Sequence, residues 1–562
     1  MSTQVNAVPD RAASFVVHPK PGIGDATTLE EALALLAQVG GGEIFVREGT
    51  YPVAATITLP AGIPCTIRGC GNATIFDLGA NAIPLFSIVA GAVTNTPVVF
   101  DNFKVIGTEV ADQQFMDYGD TNSLTEVYME NIVTTGIEKT IFVSDSAQGS
   151  STPGQDDARF HMLRCRIRPC STDDSVMLSN ASIGLPRVWM TEVEFIGDSL
   201  FAVPLGRTAP LFGRIADDTY FGDLYMADCE MSVGTGEHDF AVLEVVNSTI
   251  WNNDDVNTII DFFMFGSFSN LGNNGSIRGS NLRRIYFECE EDGITFTENY
   301  LENCPLGLFG QGNLVGDNTF QQSGTWPVSH PFVIEVNNEN TVIRHNKFEI
   351  PTAPTNVVVF NAPCTFTGND LSDVNNPAGG TLLMQNSAIF VTNNRFEFAS
   401  ITGPSVNDGN GGNFYTDNED LFTNKTGGGP IVNPIIGDGN QIQGTSGGGG
   451  NSAVGGTATN NIVVWYRNQN GLGQTKGYIQ NTGANNITVR ESFITDTLGT
   501  FTRTTVVVPG AKLVLDPFDF TGIVGLAPDN YQVVDYRVDV SGTTIAWYLF
   551  FPKPNSVNRS AN

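Results

Sequence analysis

The stretch Phe296-Thr297-Glu298-Asn299-Tyr300-Leu301 is the first full copy of a phrase that recurs through the middle of the chain. The phrase is an apolar residue, two further residues, an asparagine, one more residue and a second apolar residue. Its asparagine returns at positions 318, 346, 369 and 394, and a looser copy lies at 436–442. The spacings are therefore 19, 28, 23 and 25 residues. A repeat of this period is typical of a solenoid, in which each repeat buries its apolar face against its neighbours.

The segments between the asparagines indicate which kind of solenoid this is. They contain short runs of branched and aromatic residues, such as 332–336 and 357–360, and almost no helical periodicity. Such runs predict strands. Three strands and three bends in a coil of roughly 20 to 28 residues predict an all-β fold, the right-handed parallel β-helix. Asparagine suits a bend because it tolerates left-handed backbone, and stacked asparagines can form a hydrogen-bonded ladder. The alternative is a β-sandwich in which asparagine is simply a common loop residue.

The composition excludes several classes of partner. Only 15% of the 562 residues are charged, yet the net charge is −31. A surface this acidic repels phosphate backbones, so we expect no nucleic-acid partner. No apolar run reaches the roughly 20 residues that a membrane-spanning helix needs, so we expect no membrane insertion.

The eight cysteines do not predict a metal site. Two pairs have Cys-x4-Cys spacing, whereas zinc sites usually have closer pairs or nearby histidines. Cys289, Cys304 and Cys364 lie in apolar runs and are most simply buried small side chains. We therefore expect no metal and no cofactor, with disulfide bonds as the less favoured alternative.

The two ends of the chain differ from its middle. Residues 1–24 are polar and contain three prolines, which predicts an extended arm. The segment 27–38 predicts a helix, because Thr27 or Thr28 can cap it and its apolar residues have helical spacing. We expect the β-helix to cover residues 25–445 and a glycine-rich linker to cover 446–458. About six alternating runs then predict a β-sandwich at 459–562.

The beginning of the predicted β-helix resembles a known family. A short amphipathic helix, glycines 40–42, a strand and Gly49-Thr50-Tyr51 precede Ile57–Gly62 and Ile67–Gly69. This order is similar to the entry of the pectate-lyase-like β-helices, which include phage tailspikes, polysaccharide lyases and glycoside hydrolases. The helix would cover the open end of the solenoid, where an exposed coil invites edge pairing. The resemblance extends over about residues 25–445. It implies that the C-terminal domain trimerises or binds glycan.

Lone carboxylates in the long strands are the first candidates for chemistry. Glu244, Asp261, Glu288 and Glu335 each stand between apolar neighbours. If the registers of these strands coincide, the acids form a column with a spacing of about 4.8 Å. Repulsion between like charges makes such a column costly unless it has a use. Glycoside hydrolysis and calcium binding are two such uses. The alternative is a set of separate, solvated acids.

Hydrolysis of a glycosidic bond needs two carboxyl groups at a defined distance. Pairs at about 5–5.5 Å suit retention, and pairs at about 6.5–9.5 Å suit inversion. Acids on neighbouring coils could supply the shorter distance. Glu288 and Glu290, about 6.6 Å apart along one strand, could supply the longer one. Aromatic residues beside polar groups predict sugar-binding positions. The predicted catalytic residues are Glu244, Asp261, Glu288 and Glu290, and the predicted substrate-binding residues are Trp251, Asp254, Asp255, Trp326 and His330.

Together with the resemblance, these features predict a phage tailspike-like virion protein. We expect a homotrimer that binds and cleaves host cell-surface polysaccharide, meaning O-antigen, capsule or exopolysaccharide, and that contacts other tail or capsid proteins. The protein would be located in the virion, and it would be extracellular after the virion is released. The first alternative is a virion fibre or capsid-decoration protein without enzymatic activity. The second is a secreted bacterial polysaccharide lyase or hydrolase, although the start of the sequence lacks the basic and apolar segments of a leader.

Overall fold

The computed structural model describes most of the chain between residues 13 and 552. The described ranges are 13–60, 62–88, 97–108, 110, 112–118, 126–137, 139–143, 159–168, 175–179, 187–195, 212–214, 221–233, 237–252, 260–264, 275–327, 329–352, 355–374, 381–386, 388–395, 406–408, 413–416, 418, 435–436, 451–458, 462–467, 476–481, 484–495, 499–515, 533–541 and 545–552.

The chain divides into two compact units, residues 1–292 and 293–562. In the first unit the helix α1 spans Leu29–Val39. The strands of the first unit are β1 Ala13–Val17, β2 Gly42–Val46, β3 Gly49–Pro52, β4 Ile57–Leu59, β5 Cys65–Asp77, β6 Pro84–Ile88, β7 Val98–Ile106, β8 Gln114–Tyr118, β9 Glu126–Glu130, β10 Val133–Thr135, β11 Lys139–Val143, β12 Arg159–Leu163, β13 Arg166–Arg168, β14 Ser175–Ser179, β15 Arg187–Thr191, β16 Glu194–Phe195, β17 Phe212–Arg214, β18 Phe221–Ala227, β19 Glu230–Val233, β20 Glu237–Val246, β21 Thr249–Asn252, β22 Ile260–Met264, β23 Ser276–Arg278, β24 Asn281–Arg283 and β25 Ile285–Cys289.

In the second unit, all the regular secondary-structure elements among the described residues are strands. They are β26 Thr295–Thr297, β27 Tyr300–Glu302, β28 Leu306–Leu308, β29 Leu314–Gly316, β30 Thr319–Gln321, β31 Ile334–Val336, β32 Thr341–Arg344, β33 Lys347–Glu349, β34 Val358–Phe360, β35 Cys364–Thr367, β36 Leu382–Met384, β37 Phe390–Thr392, β38 Val406–Asp408, β39 Phe414–Thr416, β40 Ile435–Ile436, β41 Asn451–Ala458, β42 Ile462–Arg467, β43 Lys476–Gln480, β44 Ile487–Thr495, β45 Gly499–Val507, β46 Lys512–Leu515, β47 Val533–Ser541 and β48 Ile545–Pro552. Among the described residues there is no helix with the length and apolar content that a bilayer crossing requires.

Helix α1 forms where the sequence predicts it. The hydroxyl of Thr28 accepts a hydrogen bond from the Glu31 amide at 3.2 Å, and the Glu31 carboxylate accepts one from the Thr27 amide at 2.8 Å. Gly40, with φ 83°, ends the helix in left-handed conformation. Strand β1 pairs in parallel with β2, so residues 13–17 belong to the first coil. The predicted arm is therefore wrong from Ala13 onward, and residues 1–12 lie outside the described ranges.

The first unit is a stack of coils built from parallel strands. One column of paired strands runs β5, β7, β9, β12, β15, β18 and β20. A second runs β7, β10, β13, β16, β19, β21 and β24. A third runs β4, β6, β8, β11, β14 and β17. The crossover connections between parallel strands of one sheet are right-handed. The fold is therefore the predicted right-handed parallel β-helix.

The same bend recurs between the first and second columns. In five successive coils one residue adopts left-handed backbone, and its amide donates to a carbonyl of the next coil, as Arg164 does to Thr191 at 2.9 Å. The five residues are Asn131, Arg164, Glu192, Asp228 and Asn247. Alternation along the strands sends apolar side chains inward. Val127, Phe160, Val188, Leu224 and Leu243 lie in one interior row at 1% exposure or less. The side chains between them therefore face outward.

The repeated asparagines of the second unit form the predicted ladder. The side-chain oxygen of Asn346 accepts hydrogen bonds from the amide of Asn318 at 3.0 Å and from its side chain at 2.9 Å. Asn346 in turn donates to Asn369 through the same two groups. The pattern begins at Asn299 and reaches Asn418, one step beyond the predicted copies. Most of the looser copy at 436–442 lies outside the described residues.

The end of the chain forms two four-stranded antiparallel sheets. One has the order β41, β48, β43, β46, and the other has β42, β47, β44, β45. These are the strands that the predicted sandwich requires. Residues 451–458, predicted to belong to a linker, form β41, which pairs with β48 along its whole length. The seven described cysteines are all free, and all except Cys70 are buried.

Candidate functional site

The predicted column of acids does not form, because β20 contributes to two different pairings. The first half of β20 places Glu237 opposite Asp261, whereas its second half places Glu244 opposite Ser276. Glu244 thus lies seven residues beyond the position that faces Asp261, about 23 Å along an extended strand. The predicted alignment of Glu244 with Asp261 is therefore wrong.

Asp261 and Glu288 lie on neighbouring strands but not directly opposite each other. Asp261 faces Tyr286, and Glu288 faces Phe263, so the two acids are offset by two residues. Cys289 is fully buried between a half-buried Glu288 and an exposed Glu290. Alternation therefore places Glu288 and Glu290 on the outward face together. As a catalytic pair they stay a prediction.

The predicted sugar-binding residues fall into three groups. Trp251 is half-buried on β21, opposite Ser232. Asp254 and Asp255 lie outside the described residues. Trp326 and His330 do lie together, since the indole N–H of Trp326 donates to the His330 carbonyl at 2.8 Å. Trp326 is only 6% exposed, however, so it stabilises its loop and offers almost no ring surface to a sugar.

An outward row of rings crosses four successive coils of the first unit, and we call Tyr128, His161, Trp189 and Tyr225 the ring column. These residues lie opposite one another on β9, β12, β15 and β18. Their centroids are 4.4, 4.6 and 5.4 Å apart, and neighbouring planes differ by 6–8°. All four are half-buried, because each ring covers the face of the next and leaves its edge accessible. The stack thus presents polar ring edges at intervals of one coil.

A row of charges runs beside the ring column, two residues earlier on the same strands. This charged row consists of Glu126, Arg159, Arg187 and Asp223. Arg159 pairs with Glu126 at 2.9 Å, and Arg187 pairs with Asp223 at 3.2 Å. The Tyr128 hydroxyl also donates to Glu126 at 2.6 Å, which joins the two rows.

The pKa values in these rows reflect burial and pairing. Burial and the Glu126 carboxylate raise the pKa of Tyr128 to about 12. Burial alone would raise the pKa of Glu126, but hydrogen bonds from Tyr128 and Arg159 hold it below its usual value. Burial lowers the pKa of His161, and the charge of Glu126 offsets this only in part. At neutral pH the ring column is therefore uncharged beside a row of paired charges.

A concave site follows the bend next to these rows, and we call it the turn groove. Its volume is about 330 Å³, and its charged and amide lining residues include Asn102, Asn131, Arg164, Arg166, Glu192 and Glu194. The bend supplies four of these residues, with φ between 53° and 63°, and β13 and β16 supply Arg166 and Glu194. The groove therefore runs across successive coils of the first unit.

The charges of the turn groove are mostly paired. Arg166 forms an ion pair with Glu194, and Arg164 forms one with Glu130. Glu194 lies directly opposite Glu230 of the next coil, so two carboxylates share one outward row. Among the described residues, no group of three or more histidine, cysteine or acidic side chains is placed to hold a metal ion.

Sequence reasoning missed the ring column although a signal for it exists. Each ring precedes a methionine, so an aromatic-Met pair occurs at Tyr128, His161, Trp189 and Tyr225. The pairs are 33, 28 and 36 residues apart. These intervals are mostly longer than the 19 to 28 residues that separate the repeated asparagines. The bend residues of the groove carried no signal, because asparagine, arginine and glutamate alternate at one structural position.

Comparisons with known proteins give similarities of fold only. No protein-family model and no curated protein matches the sequence. A tailspike protein mutant of E. coli bacteriophage HK620, in complex with a hexasaccharide, is 11% identical, with 94% of this chain and 89% of that chain covered and a TM-score of 0.40. The catalytic domain of a GH87 α-1,3-glucanase in complex with tetrasaccharides is 13% identical, covering 72% and 70%, with a TM-score of 0.29. The A-module of a mannuronan C-5 epimerase from Azotobacter vinelandii is 10% identical, covering 74% and 83%, with a TM-score of 0.19.

Proposed function

We propose that the chain is a polysaccharide-binding β-helix protein whose glycan site is formed by the ring column, the charged row and the turn groove. One observation carries this proposal. Outward polar and aromatic groups recur at the spacing of one coil, about 4.8 Å. They extend over four successive coils in the ring column and over three in the charged row, because Asp223 is buried at 8% exposure. A row of equally spaced groups suits a linear polymer of repeating units better than a compact small molecule.

The chemistry of these side chains suits hydroxyl-rich ligands. A sugar hydroxyl both donates and accepts hydrogen bonds, so it can bind carboxylates, amides, guanidinium groups and phenols. Rings such as Trp189 and Tyr225 add apolar area beside a polar edge. The net charge of −31 also disfavours nucleic acid, the other common linear polymer.

Cleavage of the bound polymer is a second candidate function, and the register of Glu194 and Glu230 favours it. The backbones of residues directly opposite on neighbouring parallel strands lie about 4.8 Å apart, so side-chain rotamers can set the two carboxyl groups at the 5–5.5 Å of retaining glycosidases. The ion pair with Arg166 suits Glu194 to the role of nucleophile, and Glu230 would then be the general acid. The sequence-predicted pair Glu288 and Glu290 is the competing assignment, at the wider distance that inversion requires.

We further propose that the protein acts in a virion as a tailspike-like homotrimer and contacts other virion proteins. The resemblance of the helix, the glycine turn and Gly49-Thr50-Tyr51 to the entry of tailspike β-helices supports this proposal. The C-terminal antiparallel sheets would hold the trimer together. Light scattering should then give three times the 60.3 kDa of one chain, and a monomer would contradict the trimer.

The binding proposal is tested with the purified full chain on a printed array of bacterial surface polysaccharides. We expect binding to a subset of the glycans, and we expect Trp189→Ala to weaken it by about tenfold, the loss of one ring contact. Trp251→Ala is the matched control, because Trp251 is also a half-buried tryptophan and lies outside the ring column. Loss of binding in Trp251→Ala but not in Trp189→Ala would show that the glycan binds at the sequence-predicted Trp251 and not at the ring column. Absence of binding to every glycan would overturn the proposed function.

A further inference from the structure

We infer that the turn groove is a subsite for an uncharged sugar unit and that it discriminates against uronic and other acidic sugars. This inference rests on the proposed function, because it names the class of sugar that the same surface accepts. It stands on the shape of the groove, on the pairing of its charges and on the one carboxylate that the pairing leaves over.

The shape of the groove suits one or two units of a glycan chain. Its volume of about 330 Å³ lies at the lower end of the range for small-molecule pockets, roughly 300–1,000 Å³. Three amide side chains, Asn72, Asn102 and Asn131, line it together with the charged residues. Amides can donate to and accept from hydroxyl groups without any net charge. The lining is thus suited to a neutral, hydrogen-bonding ligand.

The charges of the groove do not suit an anionic ligand. A site for a carboxylated sugar needs a guanidinium group whose fork is open to the ligand. Here the guanidinium group of Arg166 is paired with Glu194, and that of Arg164 is paired with Glu130. Each pair engages a single guanidinium nitrogen, so an acidic sugar that binds the remaining N–H groups would lie beside a carboxylate that repels it.

Glu192 gives the groove its surplus charge. It lines the groove from the bend with φ 54°, and no described residue forms an ion pair with it. Two arginines and two glutamates line the groove, and the neighbouring Glu130, which pairs with Arg164, adds a third carboxylate, so the site carries one extra negative charge. An ionised carboxylate accepts hydrogen bonds from hydroxyl groups and repels the carboxylate of an acidic sugar. The side chain therefore favours neutral units in two ways.

The bend offers a substitution that removes this carboxylate without threatening the fold. Glu192 occupies a left-handed position, where asparagine is among the most favourable residues other than glycine. Glu192→Asn should therefore fold at least as well as the wild type. Asp228 has the same φ of 54° in the next coil but does not line the groove, so Asp228→Asn is the matched control for charge and backbone.

The experiment compares pairs of immobilised bacterial oligosaccharides that differ only in a neutral hexose or its uronic acid at one position. We expect the wild type to prefer the neutral member, and we expect Glu192→Asn to bind it about tenfold more weakly, the loss of a charge-assisted hydrogen bond. The preference for neutral over acidic members should also shrink, whereas Asp228→Asn should match the wild type. Melting temperatures of the two variants exclude misfolding as the cause.

Three results would overturn the inference. If the wild type prefers the acidic members, the proposed function stands and the assigned sugar class is wrong. If Glu192→Asn behaves like Asp228→Asn, glycan binding stands but does not use the turn groove. If no glycan of any kind binds, the proposed function fails and the inference fails with it.

Discussion

The imidazole of His161 stacks on the indole of Trp189, with ring centroids 4.6 Å apart and planes 7° apart. Its other face covers Tyr128 in the same manner. Burial between the two rings lowers the pKa of His161 below its ordinary value of 6.5. The folded chain therefore favours the neutral imidazole, and protonation is coupled to the stability of the ring column.

The first prediction follows from this coupling. A histidine with a lowered folded pKa contributes its full stability above about pH 6.5 and loses it as the pH falls through the folded pKa. The free energy of unfolding in urea should thus fall between about pH 7.5 and pH 5 more steeply in the wild type than in His161→Phe. Phenylalanine keeps the stack and does not titrate. Parallel pH profiles of the two proteins would contradict the coupling.

The second prediction concerns the asparagine ladder. Asn346→Ala would leave the amide and the side chain of Asn318 without their acceptor in a position where Asn346 is 1% exposed. Unsatisfied buried donors cost about 1–3 kcal/mol each, so we expect the free energy of unfolding to drop by about 2–5 kcal/mol. The next residue, Lys347, points outward from the same coil, and Lys347→Ala should change stability little. Equal effects of the two substitutions would contradict the structural role of the ladder.

The ladder also shows why the fold could be predicted from the sequence. Each coil needs the same left-handed bend and the same buried amide, so the requirement recurs in the sequence at one-coil spacing. The helix α1 carried a signal of the same local kind in Thr28 and Gly40. Strand β41 did not, because its place is set by pairing with β48, whose Ile545 lies opposite Ala458. A pairing between residues almost ninety positions apart leaves no local pattern in the sequence. The glycine content of residues 446–458 therefore predicted a linker there.

The candidate site was less predictable because it depends on register. Glu244 and Asp261 look equivalent in sequence, yet β20 changes pairing partner between its ends, and this separates them. Glu194 and Glu230 look unrelated in sequence, yet they lie directly opposite each other. A carboxylate between two apolar residues shows which face it occupies. It does not show which strand lies beside it.

The third prediction concerns the C-terminal sheets. Glu491 is completely buried and accepts two hydrogen bonds of 2.6 Å from Arg503, which lies directly opposite it. Removing one partner of a buried ion pair costs about 3–5 kcal/mol, because the other charge stays buried alone. Glu491→Leu should therefore be strongly destabilising, and adding Arg503→Met should recover part of the loss. Chemical unfolding of both single variants and the double variant measures this. Additive losses would contradict a coupled pair.

The last prediction separates the two carboxylate pairs that could cleave a polysaccharide. If Glu194 and Glu230 act as nucleophile and general acid, Glu194→Gln and Glu230→Gln should each reduce the release of reducing ends by at least about a hundredfold, as loss of an acid–base catalyst does. Glutamine keeps the size of the side chain, so glycan binding on the array should persist. Glu288→Gln and Glu290→Gln are the matched variants, since these residues also lie on the outward face of the first unit. Loss of cleavage in that second pair alone would assign the reaction to Glu288 and Glu290. An unchanged rate in all four variants would show that neither pair is catalytic.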